Sequence, residues 1–280
     1  MKLSVSSYSY HRLMGGGFTI LDAVRHAAAT GFDGIEIAHL DPETGVGAFA
    51  LAREIRALCR ELGIGLSNYC AAADFLHGRG GPPEDEAARV MRVVDLAAEL
   101  GTPTFRHDAF WSTEGIADWQ AGVGRVAAGI REVTRYAAGL GIRTMCENHG
   151  RVMQDSERME YLVRAVDDEN FGLLCDMGNF ACVDEDSLAA VERVMPYTFY
   201  IHAKDFFKRQ GKVSEDGWSD TRGGNSLCRT VVGRGDIPVR ECIGLARRAG
   251  YDGWVSLEFE GREEPLAAIE EGYRFLRSVI

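Results

Sequence analysis

Five stretches of one form constrain what this chain can fold into. Ala29-Thr30-Gly31-Phe32-Asp33-Gly34, Glu61-Leu62-Gly63-Ile64, Glu99-Leu100-Gly101, Gly139-Leu140-Gly141-Ile142 and Ala249-Gly250-Tyr251-Asp252-Gly253 each place glycine after an amphipathic run and just before an apolar one. Glycine enters the left-handed conformation that ends a helix without a Cβ penalty, so each stretch reads as a helix stop followed by a strand. The apolar runs lie at roughly Leu3–Tyr8, Gly34–Ala38, Ile64–Tyr69, Thr104–His107, Ile142–Glu147, Gly172–Asp176, Thr198–Ala203 and Trp254–Phe259. Helical periodicity fills the intervals, roughly 18–30, 47–62, 84–100, 115–140, 155–167, 184–194, 236–249 and 264–279. Eight strand-then-helix units predict an α/β fold, a single (β/α)8 TIM barrel spanning 1–280 as one domain. A doubly wound open sheet is the rival. It usually carries a phosphate loop after its first strand, and Gly15-Gly16-Gly17 lacks the G-x-G-x-x-G spacing, so the triplet reads as a flexible connection.

One connection breaks the rhythm. Residues at about 205–235, between the seventh strand and the seventh helix, hold Lys208, Trp218, Arg222 and Gly223-Gly224. A strand-to-helix loop in a barrel lies on the catalytic face, and one this long predicts a lid or an oligomer contact.

Bulk charge narrows the partners. The net charge is −11, from 31 basic and 42 acidic residues. Nothing supplies the cationic footprint that nucleic acid demands, and an anionic membrane surface is disfavoured for the same reason. No window approaches the length of a membrane span, and MKLSVSSYSYHRL lacks the apolar core and cleavage site of a signal peptide. The seven cysteines are scattered and form no C-x-x-C pair, which predicts reduced thiols in a cytoplasmic protein.

Strand parity then picks out a set of polar side chains. Phe199, Ile201 and Ala203 should face the helices, which turns Tyr200, His202 and Lys204 toward the barrel axis. By the same rule Ser256 and Glu258 point inward, Glu147 follows Met145, and Asp176 follows Leu174. Four successive strands therefore each end in an inward ligand-type residue at their C-terminal end: Glu147, Asp176, His202 and Glu258. Three carboxylates and one imidazole favour a divalent cation, Mn²⁺ or Mg²⁺ first and Co²⁺ or Zn²⁺ next. A cation also relieves the repulsion among three clustered acids. In Met145-Cys146-Glu147-Asn148-His149-Gly150 the weight thus falls on Glu147, with Asn148 and His149 in the loop beyond it.

Further motifs follow in order. They are Gly31-Phe32-Asp33-Gly34-Ile35-Glu36-Ile37, Glu147-Asn148-His149-Gly150, Asp176-Met177-Gly178-Asn179, Ile201-His202-Ala203-Lys204-Asp205, Gly233-Arg234-Gly235-Asp236-Ile237-Pro238 and Gly250-Tyr251-Asp252-Gly253-Trp254 leading into Leu257-Glu258. Over nearly the whole length the chain resembles the xylose isomerase-like barrel superfamily, in particular its sugar phosphate isomerase/epimerase group with the ketose 3-epimerases. The resemblance implies one divalent metal, commonly Mn²⁺, held by Glu147, Asp176, His202 and Glu258. It further implies Glu147 and Glu258 as acid/base groups on opposite faces of a sugar or sugar-like polyol ketone. Such a site removes a proton alpha to the carbonyl and returns it, giving epimerisation or isomerisation, with the metal stabilising the enediolate charge.

Seven residues are candidates for substrate contact. Asn179 stands where the epimerases often place a histidine. Lys204 faces inward, and Lys208 lies in the long connection. Arg106 and His107 end the fourth strand without clear parity, His149 follows Glu147, and Glu36 lies inward on the second strand. Asp236 is a candidate N-cap for the next helix, and His11, His26, His39 and His77 read as surface or packing residues. Three other activities compete. A dehydratase acting on an inosose- or dehydroshikimate-like substrate shares the first proton abstraction. An abasic-site endonuclease requires additional histidines, one of them at the position of Asn179. A non-catalytic sugar-binding subunit would not need the paired glutamates. The expected partner is a small carbohydrate, and the resemblance allows a homo-oligomer, a dimer or tetramer.

Overall fold

The computed structural model describes residues 1–38, 40 and 47–280; His39 lies outside the described residues. Eight parallel strands close into a barrel: β1 (Lys2–Ser6), β2 (Gly34–Ala38), β3 (Gly65–Cys70), β4 (Thr104–His107), β5 (Arg143–Glu147), β6 (Phe171–Asp176), β7 (Thr198–Ala203) and β11 (Trp254–Leu257). Their order is β1-β11-β7-β6-β5-β4-β3-β2, and closure comes from β1 pairing with β2 on one side and β11 on the other. Helices α1 (Ile20–Thr30), α2 (Gly47–Leu62), α3 (Glu86–Leu100), α4 (Trp119–Gly139), α5 (Ser156–Val166), α6 (Ser187–Val194), α7 (Val239–Arg248) and α8 (Pro265–Val279) follow the strands in alternation.

The alternation arises from side-chain periodicity. In α2 the buried residues Ala48, Ala52, Ile55 and Cys59 are spaced at one helical turn and form a single apolar stripe. The glycine stops behave as their residue type requires: Gly31, Gly63, Gly101, Gly141 and Gly250 all have positive φ. Inside the barrel, Cys70, Met145, Leu174 and Tyr200 form a small apolar layer separate from the large core between strands and helices. The Tyr200 hydroxyl meets the Ser4 and Ser67 hydroxyls at 2.8 and 2.7 Å, so the layer beneath the mouth carries no unpaired phenol. Packing outside the barrel is equally close. A Cβ at Gly172 would lie 2.6 Å from both the Tyr197 carbonyl oxygen and the Phe199 ring. Gly172→Ala is therefore expected to destabilise the protein by about 1–3 kcal/mol, read as a lowered midpoint of thermal unfolding.

The segment 205–235 is more ordered than an irregular loop. It contains a three-stranded antiparallel sheet, β8 (Asp205–Arg209), β9 (Trp218–Asp220) and β10 (Ser226–Thr230), in the order β8-β10-β9. Two aspartates pin it to the barrel. The Asp205 carboxylate accepts from the backbone N–H groups of Phe206, Gly233, Gly235 and Ile237. Asp184 accepts from Thr221 Oγ1, Asn225 Nδ2 and the Gly223 N–H. Asp236 is not the cap of α7: Pro238 occupies that position, and the Asp236 carboxylate accepts instead from the Lys208 N–H at 2.7 Å.

Candidate metal and acid–base site

The inward residues at the ends of β5, β6, β7 and β11 converge at the C-terminal mouth. One donor atom from each of Glu147, Asp176, His202 and Glu258 lies within 4.8 Å of the others, and all four residues are buried. His202 Nδ1 is 3.8 Å from Glu147 Oε1, 4.0 Å from Asp176 Oδ2 and 3.7 Å from Glu258 Oε1. Ligands sharing one ion at about 2.1 Å stand about 3 to 4.2 Å apart, so these spacings fit a single cation.

Local chemistry aims each donor. Both Glu36 carboxylate oxygens lie 3.0 Å from His202 Nε2, and a carboxylate can only accept, so Nε2 carries the proton and the Nδ1 lone pair is turned to the cluster. Asn68 Nδ2 donates to Glu36 at 3.0 Å and fixes it in turn. Despite its burial, Glu36 is held down at about 2 by the His202 ring and these hydrogen bonds. Asp176 Oδ1 accepts from the N–H groups of Gly178 and Asn179, leaving Oδ2 for the cluster. Asn148 exchanges two hydrogen bonds with the Asp176 backbone, at 2.9 and 2.8 Å, and so locks the ends of β5 and β6 together.

Two buried atoms then stand out. Asp176 Oδ2 and His202 Nδ1 have no hydrogen-bond partner and face each other across the cluster. Orphaned buried polar atoms are costly unless something pairs them, and a divalent ion accepts from both. The donor set fits such an ion. Without a cation, Asp176 is pushed up to about 7, by burial first and then by Glu258 and Glu147 against the pull of Lys204. His202 is raised to about 10, because Glu36 and Glu258 outweigh the burial that would lower it.

These shifts have a sign. An aspartate whose folded pKa lies above its unfolded value of 3.8 holds its proton more tightly when folded. The metal-free protein therefore loses stability from this group as pH rises from about 4 toward 7. Metal binding must displace the protons on Asp176 and His202, so affinity is expected to rise with pH through about 7 and on toward about 10, with proton release. Calorimetric titration of Mn²⁺ in buffers of different ionisation enthalpy checks this; a pH-independent affinity would remove the four-ligand assignment.

The two glutamates are each braced by a separate cation. Glu147 Oε2 is 2.6 Å from Arg106 Nη2, and Asn179 Nδ2 donates to Glu147 Oε1 at 3.1 Å. Although burial pushes the other way, Arg106 keeps Glu147 below the usual carboxylate range. Glu258 Oε2 is 2.6 Å from Lys204 Nζ, which also lies 2.8 Å from Glu260 Oε1. Arg229 on β10 reaches Glu260 at 2.6 Å, so the inserted sheet is tied to the site through Glu260 and Lys204. Burial notwithstanding, Lys204 and Arg229 hold Glu260 at about 2.

Of the seven substrate candidates, five gather at this mouth and two do not. Arg106, His149, Lys204 and Glu36 line a cavity of about 270 Å³ above the cluster. Asn179 sits behind Glu147, which takes its side-chain amide. Glu36, as the partner of His202, acts through that ring. His107 points the opposite way, because strand alternation that turns Arg106 inward turns its neighbour out. It is buried beside Phe75, Phe105 and Phe171, its Nδ1 bonded to the Asp108 carbonyl, and burial drives its pKa down to about 4. Lys208 is exposed on β8 and borders a separate cavity with Asp184 and Thr221. Neither reaches the mouth. Two acids there were not anticipated: Asp108, 2.8 Å from Arg106, and Glu260. Each lies two positions beyond an inward residue, and parity extended past the strand end signals both.

Fold and site define a parallel eight-stranded barrel with a polyacid, metal-type cluster at its C-terminal mouth. The chain belongs to the xylose isomerase-like TIM barrel family, whose model matches residues 24–279. Inosose dehydratase of Lacticaseibacillus casei is 26% identical over 192 residues, a match covering 67% of this chain and 60% of the relative, so less than two thirds of that relative's length is spanned. A structure of D-psicose 3-epimerase in the presence of D-fructose superposes with a TM-score of 0.74 at 19% identity, covering 100% of this chain and 99% of that one. The IolI protein, described with a zinc atom, gives 0.78 at 16% identity, covering 100% and 98%. Among the described residues no helix is long and apolar enough to cross a membrane.

Proposed function

We propose that this protein is a divalent-metal-dependent isomerase or epimerase of a polyhydroxylated ketone, acting by proton removal alpha to the carbonyl. The observation that carries the reading is the pair Glu147 and Glu258, each held by its own buried cation and flanking the orphaned donors Asp176 Oδ2 and His202 Nδ1. Glu147, Asp176, His202 and Glu258 would hold the ion, with Mn²⁺ the first choice for this donor set. When bound, the ion supplies a Lewis acid that stabilises negative charge developing on substrate oxygen. Glu147 takes the proton on one side, kept ionised and aimed by Arg106. Glu258, having taken a proton from solvent beforehand, returns it on the other side, with Lys204 fixing its second oxygen, and solvent then carries away the proton left on Glu147. Return to the same carbon inverts it; return to the neighbouring carbon interconverts aldose and ketose. Glu36 and Asn68 keep the His202 ring in one tautomer throughout.

A second reading, dehydration, is favoured by the name of the Lacticaseibacillus casei relative, inosose dehydratase. It shares the first step and then expels a β-hydroxyl. Incubation of the Mn²⁺-loaded protein in D₂O with a panel of ketoses and inososes tests both. Incorporation of deuterium at one carbon without loss of water supports the first reading, and a product lighter by one water supports the second, with or without deuterium. Neither exchange nor loss of water across the panel would count against proton abstraction altogether.

A further inference from the structure

We infer that the substrate of this site is electrically neutral, a polyhydroxylated ketone carrying neither phosphate nor carboxylate. The inference rests on the proposed function for the word ketone, and on the charges of the cavity for the word neutral. Among the described residues, six carboxylates line or abut the cavity: Glu36, Asp108, Glu147, Asp176, Glu258 and Glu260. Among the same residues only two permanent cations line it, Arg106 and Lys204. A divalent ion would still leave a surplus of two negative charges.

Neither cation is available to an incoming anion. Arg106 is committed through Nη2 to Asp108 at 2.8 Å and Glu147 at 2.6 Å, and its unpaired Nε is buried. Lys204 is committed to Glu258 at 2.6 Å and Glu260 at 2.8 Å. The next cation outward, Arg229, is already on the other oxygen of Glu260 at 2.6 Å. His149 leans on Asp108 at 3.3 Å, so its imidazole is likewise engaged by an acid. Residues 39 and 41–46, outside the described set, contain no Lys or Arg in their sequence. Phosphate recognition uses free guanidinium or ammonium donors in fork geometry, and a desolvated anion with no unpaired cation to meet is rejected by like charge. The rest of the wall, including Ala71, Ala72 and Trp111, is uncharged and suits the carbon face of a polyol.

Two measurements test this. In the D₂O exchange assay, neutral ketones are compared with charged counterparts, D-fructose with D-fructose 6-phosphate and an inosose with dehydroshikimate. The neutral member of whichever pair reacts is expected to have a kcat/KM about a hundredfold higher. An equal or better charged member overturns the inference. If no compound in either set exchanges, the proposed reaction fails while the charge inference is still decided by the second measurement. There the Mg²⁺-loaded protein is titrated calorimetrically with inorganic phosphate. No saturable binding is expected below about 10 mM. Submillimolar binding that disappears in Arg106→Met or Lys204→Met overturns the inference. Glu260→Gln and Asp108→Asn each remove one acid from a lining cation, and are expected to bring phosphate binding into range, with a Kd of about 2 mM. No saturable binding below about 10 mM in either variant, with thermal unfolding confirming that each is folded, also overturns it.

Discussion

Glu147→Gln is expected to lower turnover about a thousandfold while leaving the protein folded, in the range seen when a positioned acid or base is removed. The amide is nearly isosteric, so Asn179 and Arg106 keep a neighbour of the same shape. What disappears is the negative charge and the basic oxygen. Arg106 loses a partner at 2.6 Å but retains Asp108 at 2.8 Å, which limits the structural damage. The measurement is solvent deuterium exchange into an identified ketone, with thermal unfolding and Mn²⁺ affinity recorded on the same samples. Weakened metal binding at saturating Mn²⁺ cannot account for a residual rate deficit, so the chemical role is separable from the ligand role. A rate within about threefold of the parent protein would remove Glu147 from the acid/base pair.

Asp205→Ala is expected to cost about 3–5 kcal/mol, enough to threaten the folded state at ordinary temperature. Each buried N–H left without an acceptor costs about 1–3 kcal/mol, and the Asp205 carboxylate serves four of them. The loss will not reach four times the single value, since relaxation of the loop and entering water partly replace the carboxylate. Asp205→Asn is the informative companion: it retains one acceptor oxygen but brings an N–H₂ group into a nest of donors, so an intermediate loss is expected. Denaturant unfolding of both variants measures the effect; a loss under about 1 kcal/mol for the alanine variant would show that the sheet is not anchored there.

The barrel was legible because its signals are local. Helix-ending glycines and two contrasting periodicities occur within single turns or strands, and both survive whatever the rest of the chain does. The cluster of Glu147, Asp176, His202 and Glu258 was legible for the same reason, since parity along four short strands fixes which side chains share the axis. Reading failed where parity was not carried far enough or where pairing is nonlocal. His107 stands beside Arg106 in sequence but on the other face of β4, and a four-residue strand offers few neighbours to set its phase. The sheet of β8, β9 and β10 went unread because its strands are short, mostly exposed and poor in apolar alternation; only their mutual pairing makes them strands. Lys208 was a candidate because it lies in the long connection, yet β8 carries it to an exposed position away from the mouth.

The pairing of β10 with β8 has a consequence for how this family member can drift. Arg229 stands opposite Phe206, and its guanidinium reaches Glu260 only in that alignment. A slip of one residue would turn Arg229 to the other face and offer Cys228 or Thr230 to Glu260 instead. The turn at 210–217 supports that alignment, since Ser226 at the start of β10 accepts from the Val213 N–H and donates to the Gly211 carbonyl. A short ribbon outside the barrel thus serves as a ruler, and the register that sets Arg229 opposite Phe206 measures whether the far wall of the mouth is drawn correctly.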